Sequence, residues 1–154
     1  MDDMLRELYQ EVILDHGKNP RNFRHLEDAT CEADGNNPLC GDRLTVFVKV
    51  ANNQMIEDVS FEGRGCAISV ASASMMTDIV RGKSIPQVQT LFDHFHKLCT
   101  GQEEFTALAE FADDIDKLQV MSGVRQFPMR VKCATLAWHA VNAAVSGDNN
   151  ASTE

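Results

Sequence analysis

The sequence lacks both the basic excess of a nucleic-acid-binding protein and the long apolar runs of a membrane protein. Its 154 residues include 14 Lys or Arg and 23 Asp or Glu, which gives a net charge of −9 at pH 7. A chain of this charge repels phosphate backbones, so broad nucleic-acid binding is excluded as a function class. Apolar runs stay well below the ~18 residues of a spanning helix. We therefore expect neither a nucleic-acid partner nor a membrane.

A secretion signal and a paired set of cysteines are also missing. Met1–Met4 is acidic and lacks the basic and apolar regions of a signal peptide. The cysteines number five and lie far apart, at positions 31, 40, 66, 99 and 133. In a reducing compartment such cysteines bind metal or perform thiol chemistry rather than forming a disulfide framework. We therefore expect a cytoplasmic protein with a metal or thiol site.

The chain also lacks an internal repeat or a flexible linker that would divide it. Hydrophobic residues make up 44% of the sequence, enough for one core in a chain of this length. The residues after 146 are small and polar, which is typical of a frayed terminus. We predict a single domain over residues 1–146 and a flexible tail over 147–154.

Apolar spacing predicts an initial helix, a hairpin and then a run of helices. Residues 44–50 alternate between apolar and polar, as in a half-buried strand, and 56–62 form the returning strand. Ser84 and Gln87 form a capping-box pattern at the start of a helix that ends at Gly101. The other predicted segments are a helix over 5–13 that stops near Gly17, a loop over 23–39, a buried helix over 67–81, an acidic amphipathic helix over 102–116 and a final helix from Pro128 to about Val145. This order predicts an α+β fold, in which a small antiparallel sheet of about three strands packs against several helices.

Cys40-Gly41-Asp42 is the first candidate for metal chemistry. Glycine lets the backbone turn, so the thiolate and the carboxylate can converge on one cation from a short loop. Zinc accepts both cysteine sulfur and aspartate oxygen, and it usually takes four ligands. The same residues also fit a structural interpretation, in which Cys40 fills a gap and Asp42 starts a strand.

Cys66 and Cys133 both lie near predicted helix starts. Cys66 follows a Gly-Arg-Gly segment and directly precedes a helix, whereas Cys133 lies in the second turn of the final helix, beside Lys132. Free backbone N–H groups and the helix dipole at such positions favour a thiolate. We therefore expect both thiols to have a pKa below the ordinary cysteine value.

The remaining cysteines and the histidines carry weaker signals. Cys99 falls on the apolar stripe of its helix and is expected to be buried, and Cys31 lies in a polar segment without a basic neighbour. His94 and His96 are about 200° apart around one helix, so they do not face one metal ion. His139 lies on a different face of its helix from Cys133. The sequence contains no local signature of a hydrolase triad and no glycine-rich phosphate loop.

Five segments, taken in order, resemble one known family over nearly the whole chain. They are Leu8-Tyr9 through Val12-Ile13-Leu14-Asp15-His16, then Asn19-Pro20-Arg21-Asn22, Asn37-Pro38-Leu39-Cys40-Gly41-Asp42, Gly63-Arg64-Gly65-Cys66-Ala67-Ile68-Ser69 and Arg130-Val131-Lys132-Cys133-Ala134-Thr135-Leu136-Ala137-Trp138. Together they resemble the IscU/NifU N-terminal scaffold family, and specifically its SufU branch. Lys132 favours SufU, because IscU-type scaffolds carry a histidine there. The long interval between Cys66 and Cys133 also resembles the extra SufU segment, here around 84–105.

The resemblance implies a zinc-dependent sulfurtransferase. Cys40, Asp42, Cys66 and Cys133 would bind one zinc ion per chain, and Cys40 would be the catalytic sulfur acceptor. The sulfur would come as a persulfide from a PLP-dependent cysteine desulfurase of the SufS type. It would pass to downstream SUF assembly proteins for iron–sulfur clusters. The resemblance also implies that a histidine of the desulfurase replaces Cys40 on the zinc. We expect the chain alone to be a monomer.

Two other functions remain open at the level of sequence. The same four side chains could assemble an iron–sulfur cluster, although an ammonium group such as that of Lys132 cannot ligate metal. Alternatively, zinc could be purely structural in an interaction module. Residues 117–147 contain no acid, so Arg125, Arg130 and Lys132 are expected either to dock acidic groups of a partner or to form a solvated positive face.

Overall fold

The computed structural model describes residues 3–38, 40–101 and 111–152. The helices are α1 (Asp3–Lys18), α2 (Ala67–Val80), α3 (Ile85–Thr100), α4 (Ala112–Leu118) and α5 (Pro128–Val145), with a 3₁₀ helix over Gln119–Gln126. The strands are β1 (Cys31–Asn37), β2 (Asp42–Val50), β3 (Ile56–Arg64) and β4 (Asn150–Ser152). Within the described ranges, the helices are too short or too polar to cross a membrane.

The four strands form one mixed sheet in the order β3-β2-β1-β4. β2 pairs antiparallel with both β1 and β3, whereas β4 pairs parallel with β1. The predicted α+β class is confirmed, and β1, β2 and β3 form the three predicted antiparallel strands; β4 is an additional short strand that makes the sheet mixed. The predicted tail over 147–154 therefore differs from the structure at 150–152, because pairing with the edge of β1 orders this segment.

β1 is a strand where the sequence predicts a loop over 23–39. Its inward-facing positions are Ala33, Gly35 and Asn37, which are too small or too polar to produce the apolar alternation of a half-buried strand. A Cβ added to Gly35 would lie only 3.2 Å from Cδ1 of Leu136 on α5. The small residues therefore allow α5 to approach β1 closely, and this packing stabilises the strand.

The helix boundaries follow local signals in the sequence. Ser84 and Gln87 form both hydrogen bonds of the predicted capping box at the start of α3, and Gly101 ends that helix with a left-handed φ of 76°. α5 begins at Pro128 and ends at Val145, as predicted. Residues 102–110 of the predicted acidic helix lie outside the described residues.

The core lies between the sheet and the helices α2 and α5, and it continues between α5 and α3. Trp138, Phe61 and Phe95 are the largest side chains buried there. α2 is buried on most sides, as its small and apolar residues predict. α5 packs across β1 and β2 and also contacts α2. Cys133, in the second turn of α5, contacts Asn37 at the end of β1, so the first turns of α5 lie beside the turn between β1 and β2. This arrangement places the candidate site at one end of the sheet.

Candidate metal centre

Two thiols and a carboxylate meet at this end of the sheet. The potential ligand atoms of Cys40, Asp42 and Cys133 all lie within 4.8 Å of one another. Asp42 is fully buried and Cys133 is nearly so, whereas Cys40 is exposed on the turn between β1 and β2. Gly41 lies between the first two and has a φ of 71°, a conformation that glycine favours. The turn thus brings Cys40 and Asp42 together while leaving Cys40 accessible.

The carboxylate of Asp42 is held through both of its oxygens. Oδ1 accepts a hydrogen bond from the backbone N–H of Cys66 at 2.9 Å, and Oδ2 accepts one from Nδ2 of Asn37 at 3.2 Å. A Cβ added to Gly65 would lie 2.7 Å from Oδ1, closer than two such atoms approach. The absence of a side chain at Gly65 therefore leaves room for the carboxylate.

Asn37 is a residue of the site to which sequence analysis gave no role. It is fully buried, and its Nδ2 also lies 3.6 Å from Sγ of Cys133, within hydrogen-bond distance for sulfur. Its Oδ1 is buried without a hydrogen-bond partner in the described part of the chain. The sequence offered one signal, since Asn37 lies three residues before Cys40 in the same segment. An asparagine before a proline is also typical of an ordinary turn, so this signal did not indicate a role in the site.

Cys66 lies beside the other three residues, but its sulfur is not among the three mutually close ligand atoms. It is the N-cap of α2, as its position in the sequence predicts, and Sγ accepts a hydrogen bond from the backbone N–H of Ser69 at 3.5 Å. Its side chain is exposed. The backbone N–H of Cys66, rather than its sulfur, makes the contact with Asp42. Membership of Cys66 in a four-ligand set therefore stays a prediction.

The predicted lowering of the Cys133 pKa is wrong. Burial raises the pKa of this thiol, and hydrogen bonds with Asp42, Cys66 and Cys40 raise it further. The position is several residues inside α5, so the buried surroundings outweigh the helix terminus. A cation is what would make the thiolate stable there.

The donor set fits a divalent cation that accepts sulfur. In the described part of the chain, no Lys, Arg or His nitrogen lies within 4.0 Å of the Asp42 carboxylate. A fully buried carboxylate is costly unless a positive charge lies nearby. Two thiols and one carboxylate are ligand types that zinc accepts. The residues present thus suit zinc, and a bound ion would balance the buried charge.

The other cysteines lie outside this cluster. Cys99 is fully buried, as predicted, and desolvation raises its pKa to about 12. Cys31 is half-buried at the opposite end of β1 from Asn37, paired with Val48 of β2, and burial raises its pKa also. Neither thiol is placed to join the site.

The three basic residues near Cys133 do not form one continuous face. Arg125 and Lys132 line a pocket beside α3, whereas Arg130 lines a separate groove beside α1 and stacks on the ring of Phe127 at 4.6 Å. Both pockets border α5, but one lies beside α3 and the other beside α1, so the three basic side chains are divided between two surfaces.

The chain is thus a small α+β domain with two thiols and a carboxylate, a group able to hold a metal ion, gathered at one end of its sheet. A family model for the NifU-like N terminal domain matches residues 8–134, and the chain belongs to this family. The resemblance identified in the sequence is therefore confirmed.

Relatives carry two kinds of name. The zinc-dependent sulfurtransferase SufU of Bacillus subtilis (strain 168) is 42% identical over 142 residues, 92% of each chain. The iron–sulfur cluster assembly scaffold protein IscU of Streptococcus pyogenes serotype M1 is 40% identical over 147 residues, covering 96% of this chain and 88% of that protein. A solved structure from Fervidobacterium islandicum AW-1, named as a candidate iron–sulfur assembly scaffold for the SUF system, superposes with a TM-score of 0.80 at 30% identity. It covers 91% of this chain and 98% of the other.

Proposed function

We propose that this protein is a cytoplasmic, zinc-dependent sulfurtransferase of iron–sulfur cluster assembly. Cys40 accepts sulfur from the persulfide of a PLP-dependent cysteine desulfurase of the SufS type and passes it to downstream SUF assembly proteins. The observation that carries the proposal is the exposed Cys40 thiol within 4.8 Å of the buried ligand atoms of Asp42 and Cys133. The similarity to a relative named as a zinc-dependent sulfurtransferase supports it.

The ligands divide into a fixed part and an accessible part. Asp42 and Cys133 are buried and hydrogen-bonded to Asn37, so they would hold one zinc ion per chain in place. Cys66 would be the fourth ligand, at the N-terminus of α2. Cys40 is exposed, so it is the ligand that an incoming persulfide can reach. When bound, zinc favours the thiolate form of the cysteines around it.

Sulfur transfer to Cys40 needs no external oxidant. The Cys40 thiolate attacks the outer sulfur of the desulfurase persulfide, and a new S–S bond forms on Cys40. The S–S bond of the desulfurase breaks at the same time, and its cysteine leaves as a thiolate. Attack by an acceptor thiolate on the outer sulfur of the Cys40 persulfide would then regenerate the Cys40 thiolate. We expect the chain to do this as a monomer that binds its partner transiently.

Alanine release by a SufS-type desulfurase tests the proposal directly. Zinc-loaded, iron-free protein should increase the rate, and mass spectrometry should find one added sulfur atom on the peptide that contains Cys40. Cys40→Ser should abolish both effects. Cys31→Ser, which changes a half-buried cysteine outside the site, is the matched control and should behave like wild type. Full stimulation and sulfur transfer with Cys40→Ser would contradict the proposal.

The second candidate function is assembly of an iron–sulfur cluster on the same side chains. A relative named as an IscU scaffold, 40% identical over 96% of this chain, favours it. Lys132 argues against it, because an ammonium group is not a ligand and the side chain lines the pocket beside α3. Visible absorbance of a cluster after anaerobic addition of iron and sulfide, without any stimulation of alanine release, would favour the scaffold.

A further inference from the structure

A pocket of about 440 Å³ lies between α3 and α5, at the level of the first turns of α5. Its polar side chains include His96 and Thr100 from α3 and Lys132, Thr135 and His139 from α5. A volume of this size accommodates a small organic ligand. The pocket is therefore a second concave site, separate from the Cys40 cluster.

The pocket and the metal centre use different faces of α5. Lys132, Thr135 and His139 are spaced i, i+3 and i+7, which places them on one side of the helix. Cys133 is next to Lys132 in sequence, but its thiol is buried against Asn37 and Asp42. A ligand in the pocket would therefore contact α5 without contacting the Cys133 thiol.

The charge of the pocket is opposite to that of the chain. Arg125 and Lys132 line it, and none of the described residues that line it is acidic, although the whole chain has a net charge of −9. Neither Arg125 nor Lys132 is ion-paired with a described carboxylate. Such a local concentration of positive charge attracts anions.

Arg125 is held in a fixed position at the pocket. Its Nε and one terminal nitrogen donate hydrogen bonds to the carbonyl of Leu98, at 3.2 and 2.8 Å. A guanidinium carries five N–H donors, so these two bonds leave others available to a ligand. The contact with the end of α3 thus fixes the position of the guanidinium and leaves some of its N–H donors without a protein acceptor among the described residues.

The two imidazoles add hydrogen-bonding groups to the same space. The ring centroids of His96 and His139 are 5.8 Å apart, and His139 packs edge-on against Phe92 at 4.9 Å. Burial, and then the neighbouring His96, lower the pKa of His139. The permanent charge therefore comes from Arg125 and Lys132, while a neutral imidazole still offers an N–H donor.

We propose that this pocket binds a small oxyanion of the phosphate or carboxylate class, held by Lys132 and Arg125, with His96 and His139 as further donors. An oxyanion offers several acceptor lone pairs to converging N–H groups, and charge-assisted bonds of this kind are strong. The site does not depend on the proposed sulfur transfer, because none of its residues is a predicted zinc ligand.

NMR of the zinc-loaded, full-length protein tests the site through the ring carbon-bound protons of His96 and His139. Inorganic phosphate and succinate are titrated separately, at an ionic strength kept constant by exchange with chloride. We expect saturable shifts of both histidine signals with at least one anion, with a Kd on the order of 1 mM for ligands of this size. The comparison of the two titrations shows which class of oxyanion is preferred.

Two variants that each remove one positive charge distinguish binding in the pocket from a general effect of the protein's surface charge. Lys132→Gln should weaken binding about tenfold, as expected for loss of one charge-assisted hydrogen bond. Lys117→Gln removes the same charge from an exposed position on α4 and should leave the Kd unchanged. His139→Gln should weaken binding as well, which gives a second test if Lys132→Gln perturbs the neighbouring Cys133.

Three results would overturn the proposal. Non-saturating shifts would indicate no site, and equal weakening by Lys117→Gln would indicate only the overall charge. Histidine shifts that disappear in Cys40→Ser would show that the anion binds at the metal centre and not in the pocket. Sulfur transfer to Cys40 is measured independently by alanine release, so failure of either proposal is distinguishable from failure of the other.

Discussion

Asn37 and Asp42 face each other across the turn between β1 and β2, and Nδ2 of Asn37 donates to Oδ2 of Asp42 at 3.2 Å. The same amide nitrogen lies 3.6 Å from Sγ of Cys133. One buried side chain therefore contacts two of the three clustered groups. Because the second carboxylate oxygen is held by the Cys66 N–H, the orientation of Asp42 is set before any cation arrives.

Asn37→Ala should weaken zinc binding. A hydrogen bond to a charged group contributes about 1.5–3 kcal/mol, so we expect a loss of about tenfold or more in zinc affinity. Competition with a chromophoric chelator measures this affinity, and the absorption spectrum of the cobalt-substituted protein reports any change in geometry. Asn36→Ala removes an exposed asparagine from the same strand and serves as the control. Equal affinities for the two variants would show that Asn37 does not position the ligands.

Gly65→Ala should displace the Asp42 carboxylate. The added Cβ would lie 2.7 Å from Oδ1 of Asp42 and 3.0 Å from Cβ of Ser69, so at least one neighbour must move. We expect lower zinc affinity together with a loss of about 1–3 kcal/mol in the free energy of unfolding. Chemical denaturation and chelator competition measure the two effects. Gly123→Ala is the control, since a Cβ there meets no atom within 4 Å. It should leave the zinc affinity unchanged and should not lower the free energy of unfolding.

Removal of zinc should destabilise the protein through Asp42. In the metal-free state the buried carboxylate has no cationic partner among the described residues. A free zinc concentration of 1,000 times the Kd would add about 4 kcal/mol to the free energy of unfolding. Asp42→Asn removes the buried charge, so chelator treatment should lower its Tm much less than that of wild type. Asp116→Asn changes an exposed aspartate on α4 and should respond to the chelator as wild type does. Equal Tm losses in all three proteins would show that Asp42 is not a zinc ligand.

Local signals in the sequence predicted the elements that local interactions determine. The capping box at Ser84 and the proline at the start of α5 act through residues within one helical turn of each other. Both helix starts were therefore predictable from the sequence. β1 was not, because its inward positions are small or polar and their burial depends on α5. β4 was missed for a similar reason, since its pairing with β1 joins segments far apart in sequence.

The same distinction applies to the candidate site. Short motifs identified Cys40, Asp42 and the helix-cap position of Cys66, because turn and cap geometry are local properties. The direction of the Cys133 pKa shift was predicted wrongly, since burial among distant segments decides it. The contacts of Asn37 were also not predictable, because they join β1 to residues on β2 and α5.

His16 should make stability depend on pH below about 6.5. Its Nδ1 lies 2.7 Å from the Ser74 hydroxyl, and burial, followed by the charge of Arg21, lowers its pKa from the ordinary value of 6.5. The unfolded chain therefore binds a proton more readily than the folded protein. The contribution of the neutral imidazole to stability is fully present above pH 6.5 and is lost as the pH falls towards the lowered pKa.

Thermal unfolding of wild type and His16→Gln between about pH 5 and 8 checks this contribution. Other groups, including any zinc ligands, titrate in both proteins, so the difference between the two curves isolates His16. We expect the stability difference to shrink as the pH falls below 6.5, because only wild type has an imidazole to protonate. His25→Gln changes an exposed histidine, and the pH dependence of its stability should match that of wild type. A difference between wild type and His16→Gln that stays constant with pH would exclude a role for His16 protonation.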